Sequence, residues 1–186
     1  MTALARRRRP RREEGFTLVE LLMAMVVLSV AVLALVAAYS SGFVALNRAT
    51  RVSSATLLAD SQMERFRALQ YGAIQLNTSC GASCTEDATY TADSAYSAAA
   101  QVTGCTTTDA TCLPTQTKTG PDGNSYRLDT YIAYTCVSGT LSTSPSLTCG
   151  SGNPYPVKRV TVVVRSTSLT TPVREQSTFT TFPSAS

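Results

Sequence analysis

The sequence predicts an α+β protein in which a long N-terminal helix packs on a small C-terminal antiparallel β-sheet, with loops stapled by disulfides. Three observations carry this prediction. An apolar run of 24 residues, 16–39, holds one charge and continues without a proline into an amphipathic stretch. Three segments of β-type pattern end the chain, and six cysteines follow the apolar run. A helix that packs on one face of an antiparallel sheet is an α+β arrangement.

The first 15 residues hold six arginines and two glutamates, which account for the whole formal net charge of +4. Residues 16–186 hold ten basic and ten acidic side chains and are neutral. The charge balance therefore does not support a generally basic protein that would bind nucleic acid through its net charge. Arginine accumulates on the cytoplasmic side of a spanning segment, so residues 1–15 are predicted to be a cytoplasmic leader, outside the fold.

The apolar run is long enough to span a membrane as a helix. At ~1.5 Å per residue it reaches ~36 Å, against ~30 Å for the hydrocarbon core. Its one charge is Glu20. A carboxylate at that depth costs about 3 kcal/mol unless it is paired or close to the headgroups. Glu20 is thus either shallow enough to be hydrated or the partner of a positive group.

The helix is predicted to continue from Phe16 to Tyr71, because Gly72 is the first strong stop signal after Gly42. Apolar residues recur near the helical spacing of 3.6, which predicts a buried face. The face comprises Val52, Ala59, Met63 and Phe66, with Ala55 and Leu58 beside them.

Strands are predicted near 126–137, 157–166 and 173–182, after a turn at residues 120–124. The first alternates, with Leu128, Ile132 and Tyr134 on one face and Arg127, Asp129 and Tyr131 on the other. Three strands alone cannot bury a sheet, so we expect the amphipathic half of the helix to cover one face.

Residues 73–120 are polar and cysteine-containing, with a short strand around residues 89–92 or no regular structure. The even cysteine number suits an oxidising compartment and up to three disulfides. The candidates are Cys80, Cys84, Cys105, Cys112, Cys136 and Cys149. Pairing of sequence neighbours is the simplest of 15 arrangements, but crossed pairs stay open. A zinc site is disfavoured because the chain has no histidine and no C-x-x-C pair.

No catalytic residue is predicted. Without histidine, Ser-His-Asp and Cys-His arrangements are impossible, and no phosphate-binding glycine loop occurs. The carboxylates of Glu86, Asp87, Asp93 and Asp109 are predicted to be hydrated surface groups. We expect neither an enzyme nor a cofactor nor a metal.

The stretch Gly15-Phe16-Thr17-Leu18-Val19-Glu20 resembles the signature of type IV pilins. The resemblance implies that a prepilin peptidase cleaves the Gly15–Phe16 bond and methylates the amine of Phe16. It also implies that Glu20 pairs with an N-terminal amine, its own or a neighbour's. The implied domains are a leader, 1–15, a membrane and filament-core helix, 16–45, and the helix's amphipathic half with the exported domain, 46–186.

Many major pilins carry Gly and Pro where this chain has Ser29 and Ala37, so it is more similar to a minor pilin of the PilV type or a minor pseudopilin of the GspI type. The resemblance implies a structural subunit of a type IV pilus or a type II secretion pseudopilus. Expected partners are other pilins, the prepilin peptidase and the inner-membrane assembly platform. The precursor would be a single-pass inner or cytoplasmic membrane protein, later an extracellular or periplasmic filament subunit. No nucleic acid partner is expected, although DNA uptake stays open.

Two alternatives remain. A single-pass membrane-anchored binding or adhesion domain would keep its arginines, and a conventionally secreted protein would be cut after Ala38. The sequence does not distinguish pilus from secretion system, tip from shaft, or a one-membrane from a two-membrane host, and it names no adhesin ligand.

Overall fold

A computed structural model describes residues 17–79, 86–136 and 157–180. The chain divides after Leu46 into two compact units. Helix α1, Leu18–Arg67, contributes to both. The second unit also holds a 3₁₀ turn, Tyr71–Ala73, and a short helix α2, Ala88–Thr91. Its strands are β1, Thr115–Thr119; β2, Ser125–Thr135; β3, Val157–Arg165; and β4, Val173–Phe179.

Helix α1 is a 50-residue helix and ends before its predicted limit at Tyr71. Gln70 adopts extended backbone angles and starts the separate 3₁₀ turn. The predicted first residue, Phe16, lies outside the described part of the chain. The prediction of one unbroken helix is therefore confirmed over Leu18–Arg67, with a C-terminal end four residues short.

The four strands form one antiparallel sheet in the order β1-β2-β3-β4. The three predicted strands are present with slightly different bounds, and strand β1 was missed. Its sequence, Thr-Gln-Thr-Lys-Thr, has no apolar residue to show a two-residue period. Pairing with β2, from Thr115 opposite Asp129 to Thr119 opposite Ser125, determines this strand.

Helix α1 covers one face of the sheet, as predicted. Ala55, Ala59, Met63 and Phe66 are fully or almost fully buried. They belong to the same apolar core as Leu128, Ile132, Val160, Val162 and Val164 of the sheet. The prediction for Val52 was wrong, because this side chain is 42% exposed and the buried part of the helix begins at Ser54.

The second face of the sheet is covered by the segment around α2. Tyr90 of this helix stacks on Tyr131 of β2 with ring centroids 4.4 Å apart. The Tyr90 hydroxyl donates to the carbonyl of Thr130 at 2.7 Å, and the Tyr131 hydroxyl donates to the carbonyl of Tyr90 at 3.1 Å. The suggested strand at residues 89–92 was wrong. Asp87 caps a helical turn there by accepting from the Tyr90 amide at 2.9 Å.

A disulfide loop holds helix α1 from the side. Cys105 and Cys112 form a disulfide, in agreement with neighbour pairing. Within this loop the carbonyl of Ala110 accepts from Nε2 of the fully buried Gln62 at 2.6 Å, and Lys118 Nζ donates to Oε1 of Gln62 at 2.9 Å. Cys136 is also disulfide-bonded. The predicted pairings Cys80–Cys84 and Cys136–Cys149 involve residues outside the described ranges.

A buried lysine fixes the chain where it leaves helix α1. Lys158 of β3 is 2% exposed, and its Nζ donates to the carbonyls of Tyr71 at 2.8 Å and Ile74 at 2.9 Å. The ammonium also lies 4.5 Å from the centroid of the Tyr71 ring. Burial lowers the pKa of Lys158 from its ordinary value. The three contacts replace hydration that the charge loses on burial.

Replacing Lys158 with alanine is expected to lower the free energy of unfolding by about 2–4 kcal/mol, because two carbonyls lose their donor. Arg159→Ala, one residue along on the opposite face of β3, is the control. Arg159 has no side-chain partner among the described residues, so its loss should change stability by no more than ~0.5 kcal/mol. Urea unfolding of the full chain in detergent, followed by circular dichroism, measures both. Equal effects of the two variants would show that Lys158 does not fix the chain at the end of helix α1.

Candidate functional site

The predicted processing site lies at the edge of the described chain. Gly15 and Phe16, the predicted cleavage and methylation residues, are outside it, and Thr17 is the first residue described. Helix α1 begins at the next residue, Leu18. Processing at these positions therefore stays a prediction.

Thr17 and Glu20 form the start of helix α1. The amide of Glu20 donates to the carbonyl of Thr17 at 3.0 Å and lies 3.4 Å from its hydroxyl oxygen. Thr17 and Glu20 thus have the Thr-x-x-Glu spacing of a capping box. A carboxylate in the first turn is also favoured by the positive end of the helix dipole. This local role of Glu20 was missed, although the spacing in the sequence signals it.

From Leu18 to Phe43 helix α1 presents a continuous apolar surface. Every residue from 17 to 50 is exposed, with Leu18 at 76%, Val27 at 69% and Tyr39 at 73%. Among the described residues, α1 is the one helix long and apolar enough to cross a membrane. Keeping apolar surface in water is unfavourable by a free energy of about 25 cal/mol per Å² of accessible area. The segment therefore needs lipid or other helices around it.

The hydroxyl groups within this segment do not interrupt the helix. Ser29, Ser40 and Ser41 donate to the carbonyls three residues earlier, at 2.8, 3.0 and 2.9 Å. Their polar groups are consequently satisfied inside the helix, as an apolar environment requires. The helix also passes without a break through Ser29 and Ala37, where many major pilins have Gly and Pro.

Comparison with known families places a motif on this part of the chain. The family model for the prokaryotic N-terminal methylation motif matches residues 10–36. The chain carries an N-terminal methylation motif. The match is confined to the N-terminal part of the chain, which is also the part that resembles type IV pilins. No curated protein and no solved structure shows significant similarity to the chain.

Beyond the methylation motif, the second unit holds a network of six charged side chains on the second face of the sheet. Its members are Asp87, Asp93, Asp129, Arg127, Arg165 and Arg174. Asp129 is fully buried and accepts from Arg127 Nε at 2.7 Å and from Arg165 Nε at 2.8 Å, each on a different carboxylate oxygen. The three carboxylates and three guanidiniums balance.

Two further carboxylates extend the network to the segment around α2. Arg127 pairs through both terminal nitrogens with Asp87, the cap of α2. Arg174 of β4 donates to both oxygens of Asp93 at 2.8 and 2.7 Å, and Arg165 pairs with the same carboxylate. Salt bridges therefore join α2 and the loop after it to three strands, and they fix this segment on the second face of the sheet.

The network favours the ionised form of two of its carboxylates, Asp87 and Asp93. Hydrogen bonds from Arg127 and from the Tyr90 amide lower the pKa of Asp87 well below its usual value. Burial raises the pKa of Asp93, but hydrogen bonds from Arg174, the Ala95 amide and Arg165 outweigh it, so the net shift is downward. Bonds from Asp87 and Asp129 raise the pKa of Arg127 against the effect of burial.

The prediction that Asp93 is a hydrated surface carboxylate was wrong, since its side chain is 1% exposed. Asp109 is exposed, as predicted, and Glu86 and Asp87 are intermediate. One signal was available: Arg127 and Asp129 occupy the β2 face opposite to its apolar residues. Among the described residues, no group of three or more potential ligands is arranged to hold a metal ion.

Acid should destabilise the protein through this network. Because folding lowers the pKa of Asp87 and Asp93, the unfolded chain binds more protons below about pH 4, and stability should fall as the pH drops through that region. Asp93→Asn should lose about 3 kcal/mol at pH 7, since it leaves guanidinium charge uncompensated. It should also show a shallower loss between pH 5 and pH 2.

Asp109→Asn is the matched control, because this carboxylate is exposed and its removal should leave both stability and pH dependence nearly unchanged. Thermal and urea unfolding at several pH values measures both quantities. A wild-type pH slope retained in Asp93→Asn would show that the network does not carry the acid sensitivity.

Proposed function

We propose that the protein is a structural filament subunit, a minor pilin of a type IV pilus or a minor pseudopilin of a type II secretion system. The observation that carries this proposal is the N-terminal methylation motif at residues 10–36, which overlaps the part of helix α1, Leu18 to Phe43, whose apolar side chains are all exposed. Lipid would cover that surface before assembly, and neighbouring subunits' helices would cover it afterwards.

In this proposal, cleavage of the Gly15–Phe16 bond removes six arginines and creates a positive amine at Phe16. The Glu20 carboxylate lies in the first turn of helix α1, close in sequence to this amine. In an apolar surrounding, a carboxylate and an amine that pair offset the loss of hydration of both. Pairing with a neighbour's amine would set the axial register of subunits.

The minor-subunit assignment is supported by the unbroken helix. Ser29 and Ala37 replace the Gly and Pro of many major pilins, and α1 is helical at both positions. Pro would remove one backbone hydrogen bond from the helix, and Gly would make it more flexible. A subunit without these two residues keeps a continuous helix.

The first test is the mature N-terminus, determined by mass spectrometry of the protein from its own host. A chain that begins at N-methylated Phe16 is expected. An intact Met1 or Thr2 would instead indicate a membrane-anchored binding domain. A chain that begins at Tyr39 would indicate a conventionally secreted protein, and either result would end the filament proposal.

A second test separates the two roles of Glu20. Glu20→Gln keeps a side chain that can complete the capping box but removes the charge, whereas Glu20→Ala removes both. If pairing with an amine matters, both variants should be recovered in sheared filaments at a small fraction of the wild-type amount. If only capping matters, the glutamine variant should assemble normally.

Both Glu20 variants need a check that they are cleaved and present in the membrane at wild-type levels, so that assembly alone is compared. Asp60→Asn, on the same helix in the second unit, is a charge-matched control that should assemble normally. Wild-type assembly of Glu20→Ala would refute both roles.

A further inference from the structure

The open part of the sheet's second face contains a small cavity beside the charge network. It has a volume of about 260 Å³. The residues that line it are Ser94, Ala95, Arg159, Thr161, Arg174, Glu175 and Gln176. From this lining we propose that the cavity is a binding site for a phosphate-type oxyanion, a role that does not depend on the filament proposal.

Strand register explains how these side chains come together. Thr161 of β3 lies opposite Gln176 of β4. Arg159 lies opposite Thr178, and Arg174 lies opposite Val163, so each arginine stands two residue pairs from the Thr161–Gln176 pair, one on either side of it. Alternate residues of a strand point to the same face, which puts all four on the second face. The floor is thus neutral and polar, and each end carries a guanidinium.

Most side-chain donors of the cavity have no acceptor within the described part of the protein. Ser94, Arg159, Thr161 and Gln176 have no side-chain hydrogen bond or ion pair there, unlike the six members of the network. Arg174 uses its two terminal nitrogens on Asp93 and keeps Nε for another acceptor. Hydroxyl, amide and guanidinium donors therefore line one small volume without a bound acceptor.

The charges on this face favour an anion. Three carboxylates of the network balance its three guanidiniums, so Arg159 is an additional positive charge. Glu86, on the covering segment, accepts from Tyr96 at 3.1 Å and from Gln101 at 2.9 Å, and forms no ion pair with Arg159. Glu175 is placed by strand alternation on the opposite face, where its carboxylate lies 3.7 Å from Arg67 of helix α1.

The cavity size and the arrangement of donors favour a compact tetrahedral group. Sites for whole drug-sized ligands measure roughly 300–1,000 Å³, so this cavity suits a single group. Hydrogen-bond donors lie at both ends of the cavity and on its floor, and this arrangement suits an anion whose oxygens point in several directions. A carboxylate is planar and is satisfied by one guanidinium fork. A nucleic acid chain would instead require a longer row of cations.

The test is isothermal titration calorimetry of the full chain in detergent with inorganic phosphate, at pH 7 and constant ionic strength. Saturable binding with one phosphate per chain is expected, with acetate weaker. Arg159→Ala should weaken phosphate binding by about tenfold or more, because a charged hydrogen bond is lost. Arg48→Ala, which removes an exposed arginine of helix α1 from the same unit, should bind as the wild type does.

Gln176→Ala provides a second, independent variant on an exposed position of the edge strand. It should weaken phosphate binding while the thermal midpoint without phosphate stays unchanged. Equal binding by the wild type, Arg159→Ala and Gln176→Ala would overturn the proposal, as would the absence of saturable binding. Tight binding of an oligonucleotide that phosphate does not displace would also overturn it in favour of a nucleic acid surface.

Discussion

One continuous helix has to satisfy two different surroundings, and the rest of the structure depends on this constraint. From Leu18 to Phe43, helix α1 exposes apolar side chains all round, so that this part needs an apolar environment. From Ser54 to Phe66 it buries a narrow stripe that includes two alanines and leaves charged residues in water. Such a stripe is enough to cover one face of a four-stranded sheet. Because helix α1 packs on the first face of the sheet, a different part of the chain has to cover the second face.

The two faces of the sheet are stabilised by different interactions, apolar burial on one and a charge network on the other. The face below helix α1 is an apolar core, whose stability follows from the area removed from water. On the second face, Arg127 and Arg165 lie directly opposite each other on β2 and β3, a like-charge pair that would destabilise the sheet. Asp129 resolves the conflict, because each of its oxygens accepts from one of the two arginines. Such a network favours one register and one position of the α2 segment, since any shift would leave a buried charge without its partner.

The sequence predicted the parts of this fold that depend on periodicity. Apolar residues at helical spacing predicted the buried stripe of α1, and alternation predicted β2, β3 and β4. It did not predict β1, whose position depends on pairing with β2. It wrongly placed Val52 on the buried face, although this residue lies before the buried stripe begins. The same limit applies to the candidate sites. Glu20 was found because a lone carboxylate in an apolar run is conspicuous, whereas Asp93 meets Arg174 across 81 residues and only the folded sheet brings them together. Gln62 was missed because its polar side chain is buried against a loop that the sequence does not place.

The charge network also determines what the second face can offer to a ligand. Asp93 and Asp129 immobilise Arg165, and Asp93 holds the two terminal nitrogens of Arg174. An arginine held in this way loses little rotamer freedom when it binds a further acceptor, which lowers the entropic cost of binding. Arg159 lies on the same strand as Arg165 but has no such partner among the described residues, so no ion pair there compensates its charge. A neutral, rigid network with one additional arginine at its margin is therefore better suited to hold a single anion than to attract long polyanions.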